Sequence, residues 1–314
     1  MTHVLRWGRS AYETNAVLDL ERSGTESMGF RWHFAPGGSP PPELERAEVL
    51  VIPSAVRVDA EVLALFGGRL VIATTSGYDH IDLDACADRG VSVVRLPEAR
   101  RDAVVEHALS EMIALLRRLP ILNLRAREGT WARGQLPGLA PIALAGAPVA
   151  VIGLGVIGRR VAEVLCALGA QVLGVDPAGV PLEVEPTELE DALSRARAVT
   201  LHCSLTPSSR GLLSKARLAL LSPEAVVVNT ARGEVLEVEA AVEQVRTGQL
   251  RGVAVDVFPV EPYPRLAAGV AIPNVRFTPH SAGYTEGMGE RVAAGVMRAL
   301  RAFEQGEELP HRVV

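Results

Sequence analysis

The sequence predicts an α/β protein built from two doubly wound, parallel-sheet domains. Three observations predict it. Short apolar runs alternate with helical patterns through the first hundred residues, the alternation breaks over residues 125–144, and it resumes from Pro148. Strand and helix in alternation is the pattern of a parallel sheet covered on both faces. The length of 314 residues suits two domains of about 150 residues each.

In the first half, His3–Trp7, Phe30–Phe34, Val49–Pro53, Leu70–Thr74 and Val91–Arg95 read as strands. Ala11–Arg22, Pro42–Ala47, Asp59–Phe66 and Leu83–Arg89 read as helices or helical turns between them, and GGSPPP from Gly37 is a loop signal. Asp102–Leu119 is a helical pattern without Pro or Gly. In the second half, Val149–Ile152, Gln171–Val175, Val199–His202, Ala225–Asn229, Gly252–Val257 and Val275–Thr278 read as strands. Val156–Leu168, Thr187–Ala196 and Val238–Gly248 fill the gaps as helices, and Thr285–Gln305 is helical again.

Composition narrows the function classes. Apolar residues at 48% and charged residues at 22% exclude a disordered chain. A net charge of −5 without a long basic run argues against nucleic acid or an anionic membrane as partner. The bases are 31 Arg and the single Lys215, so one arginine in isolation says little about function. Cys86, Cys166 and Cys203 are odd in number and far apart, which suits a reducing cytoplasm and offers no disulfide framework or metal site. The first residues lack the apolar stretch of a signal peptide. Leu136–Gly158 runs 23 residues without a charge, yet Pro137, Pro141, Pro148 and five glycines break it into a loop, a buried strand and a glycine turn.

That glycine turn is the first chemical signal. Val149–Ile152 runs into Gly153-Leu-Gly155-Val156-Ile157-Gly158 and then a helix. Gly153 permits the tight turn, Gly155 leaves room for a pyrophosphate, and Gly158 lets helix and strand approach. The helix start supplies N–H groups and partial positive charge to the phosphates. Asp176 ends the next strand 18 residues after Gly158, where a carboxylate accepts from the adenosine ribose hydroxyls and repels a 2′-phosphate. The expected cofactor is therefore NAD rather than NADP.

Three polar residues follow later strands. Arg232 follows VVVNTA, Glu261 follows VAVDVFPV, and His280 follows VRFTP. Ligands of doubly wound sheets bind beyond the carboxyl ends of strands. Hydride transfer to a carbonyl leaves charge on oxygen, so a proton donor is needed, and histidine serves in both directions near neutral pH. A carboxylate beside it fixes the tautomer. A guanidinium takes a carboxylate through two parallel hydrogen bonds.

With these motifs in view, the chain resembles the D-isomer-specific 2-hydroxyacid dehydrogenases. The likeness rests on TSGYDHIDLDACADRGV (Thr75–Val91), VVEHALSEMIALLRR (Val104–Arg118), GLGVIG (Gly153–Gly158), LHCSLTPSSRGLL (Leu201–Leu213), VVNTARG (Val227–Gly233), DVFPVEP (Asp256–Pro262) and TPHSAG (Thr278–Gly283). It implies a flavodoxin-like substrate domain from residues 1–98 and 286–314, a Rossmann NAD-binding domain from 99–285, a cleft that closes at a hinge between them, and a cytoplasmic homodimer. It implies that Arg232 binds the carboxylate of a small 2-oxo or 2-hydroxy acid, that His280 transfers the proton, and that Glu261 orients His280. Thr75, Ser76 and Gly77 are implied as substrate contacts, with backbone N–H groups on the carboxylate. Asp256 is implied at the nicotinamide carboxamide. Val104, His202, Cys203, Ser204, Thr230, Ala231, His280 and Gly283 are implied along the cofactor.

Departures from the relatives bear on the substrate. Where 3-phosphoglycerate dehydrogenases carry a phosphate-binding Arg, this chain has Ala73 or Thr74, and their regulatory domain is not within these residues. These departures count against a phosphorylated acid of the 3-phosphoglycerate or erythronate-4-phosphate type, which stands as the alternative substrate. Phosphite dehydrogenases carry a Lys where Ser76 stands. A non-enzymatic NAD(H)-sensing protein, similar to the co-repressors that share this fold, is the alternative function. Arg100 and Arg101, just before the long helix, read as a solvated pair in preference to contacts with a second anionic group of the substrate, His107 and Glu106 as structural, and Trp131 as a dimer-interface residue.

Overall fold

The computed structural model describes residues 1–314 and divides into two compact units, Met1–Arg100 with Tyr284–Val314, and Arg101–Gly283. In the first unit β1 (His3–Trp7), α1 (Asn15–Ser27), β2 (Arg31–Ala35), β3 (Val49–Ile52), α2 (Ala60–Leu65), β4 (Leu70–Ala73), α3 (Leu83–Asp88) and β5 (Ser92–Arg95) alternate. All five strands are parallel, in the order β2-β1-β3-β4-β5. β3 and β4 are buried along their whole length, which explains their unbroken VLVI and LVIA runs. One face packs Leu5, Leu50, Val71 and Val93 against Phe66 and Cys86. The other packs Val4, Val51 and Ile72 against the last helix.

The chain leaves through α4 (Glu98–Leu116), followed by α5 (Leu119–Arg127) and α6 (Leu136–Leu139). The second unit then runs β6 (Pro148–Ile152), α7 (Val156–Ala167), β7 (Gln171–Val175), β8 (Glu185–Pro186), α8 (Leu189–Arg195), β9 (Ala198–Leu201), α9 (Lys215–Leu218), β10 (Val226–Asn229), α10 (Val238–Arg246), β11 (Gly252–Val255), α11 (Leu266–Val270) and β12 (Val275–Phe277). The seven strands are parallel in the order β12-β11-β10-β9-β6-β7-β8. The order reverses between β6 and β9, the place where open sheets of this kind bind ligands. α12 (Met288–Gln305) returns to the first unit, where Met288, Val292, Val296 and Leu300 bury one stripe of it.

Some elements differ from the sequence expectation. α1 starts at Asn15, not Ala11, because Thr14 caps it by accepting the Val17 N–H, and it runs on through Gly24 to Ser27. α4 starts at Glu98 rather than Asp102. Leu119–Arg127, expected as no element, is helical, with Pro120 in its first turn where a missing N–H costs nothing. No helix is long and apolar enough to cross a membrane.

Candidate active site

The glycine turn after β6 has the expected local physics. Gly153 sits at φ +87°, and a Cβ there would fall 2.4 Å from the Cys203 nitrogen. A Cβ on Gly158 would fall 1.8 Å from the Gly153 oxygen. At Gly155 a Cβ would meet nothing within 4 Å, so the space over the turn is open. No side chain caps the start of α7, which leaves its first N–H groups for an anion. Asp176, after β7, accepts from the N–H of Leu154 at 2.5 Å and of Ala178 at 2.8 Å. A carboxylate has about four acceptor positions, so it can fix the turn and still accept from a ribose. These features fit a dinucleotide at Gly153, Gly155, Val156, Ile157, Gly158 and Asp176.

His202 and Cys203 follow β9 beside this turn. His202 Nε2 lies 2.8 Å from Thr200 Oγ1, and burial pushes its imidazole down to about 4, so it is neutral at pH 7. Burial pushes the Cys203 thiol up to about 11, which leaves it unreactive. The Ser204 carbonyl accepts from Ser209 Oγ at 2.7 Å. Thr230 Oγ1 is buried without a partner, while Ala231 and Val104 are buried.

Arg232 is held by the turn after β10. Asn229, wholly buried, accepts the Ala231 N–H at 3.0 Å and donates to the Arg232 carbonyl at 2.9 Å. The Arg232 guanidinium donates to Ala231 O at 2.8 Å. A Cβ on Gly233 would fall 2.0 Å from the Phe258 carbonyl carbon, so the Arg232 turn lies flat on the Phe258–Pro259 backbone. Glu261, three residues on, accepts the Phe258 N–H through Oε1 at 3.0 Å and faces His280 Nδ1 through Oε2 at 2.9 Å. Both side chains are solvent-accessible, at 52% for His280 and 38% for Glu261.

Asp256 has a part that sequence reasoning missed. It is buried, and its carboxylate accepts from Thr278 Oγ1 at 2.6 Å, Ser281 N at 2.8 Å and Ala282 N at 2.9 Å. It thereby shapes the turn in which His280 takes a left-handed φ of +53° and donates its N–H to Asp256 O at 2.7 Å. His107 Nε2 lies 3.2 Å from Thr278 Oγ1, which joins α4 to that turn. The signal was present as an acidic residue ending an apolar strand.

In the first unit, Thr75 Oγ1 donates to Gly77 O at 2.8 Å, and Thr75, Ser76 and Gly77 are partly exposed after β4. Arg100 is not solvated as the sequence suggested. It is largely buried, donates to the Thr74 carbonyl and stacks 5.1 Å above the Tyr12 ring, and burial lowers it to about 10. Only Arg101 behaves as expected, pairing with Asp102 at the surface.

Comparisons with known proteins bear on the family and the fold. Residues 109–282 match the family described as D-isomer specific 2-hydroxyacid dehydrogenase, NAD binding domain. The chain is 34% identical over 273 residues to a D-3-phosphoglycerate dehydrogenase of Mycobacterium tuberculosis, covering 85% of this chain and 51% of that one. The chain thus spans about half the length of the first curated relatives it matches. It is 31% identical over 262 residues to a hydroxypyruvate reductase of Thermotoga maritima, covering 82% and 85%. The TT0316 protein of Thermus thermophilus superposes over the whole of both chains with a TM-score of 0.81 and 31% identity. A D-lactate dehydrogenase of Aquifex aeolicus, complexed with NAD and lactic acid, shares the fold at a TM-score of 0.83 and 24% identity, over 97% and 96% of the chains.

Proposed function

The chain belongs to the D-isomer specific 2-hydroxyacid dehydrogenase family, and on that premise we propose that it interconverts a D-2-hydroxy acid and its 2-oxo acid. Its second unit contains the family's NAD-binding domain. The observation that carries the activity is the Glu261–His280 pair at 2.9 Å on the turn built by Asp256.

Gly155 and the start of α7 would hold the pyrophosphate of NAD, and Asp176 the ribose. When bound, the reduced cofactor supplies hydride to the carbonyl carbon. Arg232 binds the acid's carboxylate through its planar fork and polarises the neighbouring carbonyl. Glu261 accepts the Nδ1–H of His280, which leaves the Nε2 side to deliver a proton to the carbonyl oxygen. In the oxidative direction neutral His280 takes that proton. A phosphorylated acid is a second reading, favoured by the phosphoglycerate dehydrogenases among the relatives.

The molecule also carries a candidate self-association surface. α5, the turn at Ala132–Gln135 and α6 contain no buried residue, and Trp131 is 88% exposed. We read this arm as the contact of a homodimer.

NADH oxidation followed by absorbance tests the activity, with glyoxylate, hydroxypyruvate, pyruvate, longer 2-oxo acids and phosphohydroxypyruvate as substrates. Turnover of one acid that vanishes in His280→Ala is the expected result. Binding of NADH with turnover of none would overturn it in favour of an NAD(H)-sensing role.

A further inference from the structure

The loop after β4 divides its backbone groups sharply. Every carbonyl from Thr74 to Tyr78 accepts a hydrogen bond: Thr74 O from Arg100, Thr75 O from Leu96 N at 3.1 Å, Ser76 O from Arg95 Nη1 at 3.1 Å, Gly77 O from Thr75 Oγ1 at 2.8 Å and Tyr78 O from Ile81 N at 2.9 Å. None of the N–H groups of Thr75, Ser76, Gly77 and Tyr78 donates one. All four residues are only partly exposed. A row of backbone N–H groups without protein acceptors is available to an anion.

Two arginines make that division. In a trans peptide the C=O of one residue and the N–H of the next point in opposite directions. Arg100 on Thr74 O therefore turns the Thr75 N–H away from itself, and Arg95 on Ser76 O does the same for the Gly77 N–H. Neither guanidinium pairs with a carboxylate. Arg95 stacks 5.8 Å from the Tyr78 ring and Arg100 5.1 Å from the Tyr12 ring. Burial lowers the pKa of both. Their charge is thus uncompensated, and it favours a negative group on the N–H side.

We propose that Arg95 and Arg100 are positioning residues that orient the N–H groups of Thr75 and Gly77 toward the carboxylate of the acid and supply the positive potential that holds it there. This rests on the dehydrogenase reading for the identity of the anion. It extends the implied substrate loop by the two side chains that shape it, neither of which touches the reacting atoms.

The test uses the full chain with Arg95→Gln, Arg95→Lys, Arg100→Met and Arg100→Lys. Oxamate, an unreactive 2-oxo acid analogue, is titrated onto the protein–NADH complex by fluorescence, alongside KM and kcat for the acid that turns over. Arg95→Gln and Arg100→Met are expected to raise KM and the oxamate Kd about tenfold or more, the loss of a hydrogen bond to a charged group. The expected change in kcat is below about threefold, with NADH affinity unaltered, and the Lys variants, which keep donor and charge, recover most of the loss. A folded Gln or Met variant with unchanged KM and oxamate Kd overturns the proposal, as does a wild type that binds no oxamate. Should Arg100→Met fail to fold, Arg95→Gln decides alone. Oxamate binding that depends on both arginines without turnover of any acid upholds the positioning role and sinks the dehydrogenase reading instead.

Discussion

His280 Nδ1 lies 2.9 Å from Glu261 Oε2, while the other Glu261 oxygen is tied to the Phe258 N–H at 3.0 Å. The carboxylate therefore cannot swing away from the imidazole without losing a backbone anchor. On the proposed function, His280→Ala lowers kcat by about a hundredfold to ten-thousandfold, the usual worth of a positioned acid–base group. Glu261→Gln keeps the shape but weakens the hold on the Nδ1 side of the imidazole, so a smaller loss of kcat is expected. Steady-state kinetics of the two variants check this. An unchanged kcat in Glu261→Gln would refute the orienting role.

On the proposed function, Asp176 is the residue that sets the choice of NAD over NADP. Its carboxylate already holds Leu154 and Ala178 in the turn, and no cation stands beside it in the run Asp176-Pro177-Ala178-Gly179. Asp176→Ser removes the repulsion of a 2′-phosphate together with the ribose acceptor. NADH affinity is expected to fall and NADPH affinity to rise, each by about tenfold, measured by cofactor fluorescence. Retained preference for NADH would place ribose recognition elsewhere.

Most of this site was legible because its chemistry is local. The strand, the three glycines and the aspartate at its fixed distance are contiguous sequence features, and so are the strand ends carrying Arg232, Glu261 and His280. What was not legible depends on packing. Nothing in the run Glu98-Ala99-Arg100-Arg101 separates a buried arginine from a solvated one. The difference is set by Tyr12 and the Thr74 carbonyl, far away in the chain. The two-residue strand Glu185–Pro186 likewise has no pattern of its own and exists only by pairing with β7. The start of α1 was misplaced because the cap at Thr14 outweighed the apolar pattern before it.

Buried ionisable groups give two predictions about stability. His202 is lowered to about 4 by burial, against an ordinary value of 6.5. Between these values the unfolded chain binds a proton that the folded chain refuses, so stability rises with pH through that window and is lost as pH falls from 6.5 toward 4. The loss from this residue is at most about 3 kcal/mol. His202→Asn should flatten the dependence of the denaturant midpoint on pH between 4 and 6.5, and an equal slope in both proteins would count against the burial argument.

Arg6 and Glu13 form an ion pair at 2.5 Å with both side chains fully buried, and the second Glu13 oxygen accepts the Ser10 N–H. Glu13→Ala strands the guanidinium. Glu21 is a poor substitute, because burial raises its carboxyl toward the neutral form. Breaking one side of such a pair costs about 3–5 kcal/mol, so a large drop in thermal midpoint is expected. Replacing both partners, as in Arg6→Met with Glu13→Leu, should cost far less, and equal losses would mean the pair's charge is not what matters.

The arm between α4 and β6 is tied down at two points and leaves large apolar side chains exposed between them. Arg118 Nη1 donates to Arg251 O at 3.1 Å, and Arg251 Nη2 donates to Ala140 O at 2.8 Å. Between these ties Leu119, Leu124 and Trp131 are exposed. An arm held this firmly while leaving Leu119, Leu124 and Trp131 exposed is suited to covering a second copy. A stable interface removes about 800 Å² from each partner, and aromatic residues dominate its energy. If the proposed homodimer forms through this arm, Trp131→Ser with Leu124→Glu should turn dimer into monomer in sedimentation velocity, while the thermal midpoint, read at a concentration where both are monomeric, stays the same. A wild type that sediments as a monomer at high concentration, or a double variant that still dimerises, would remove the arm from the interface.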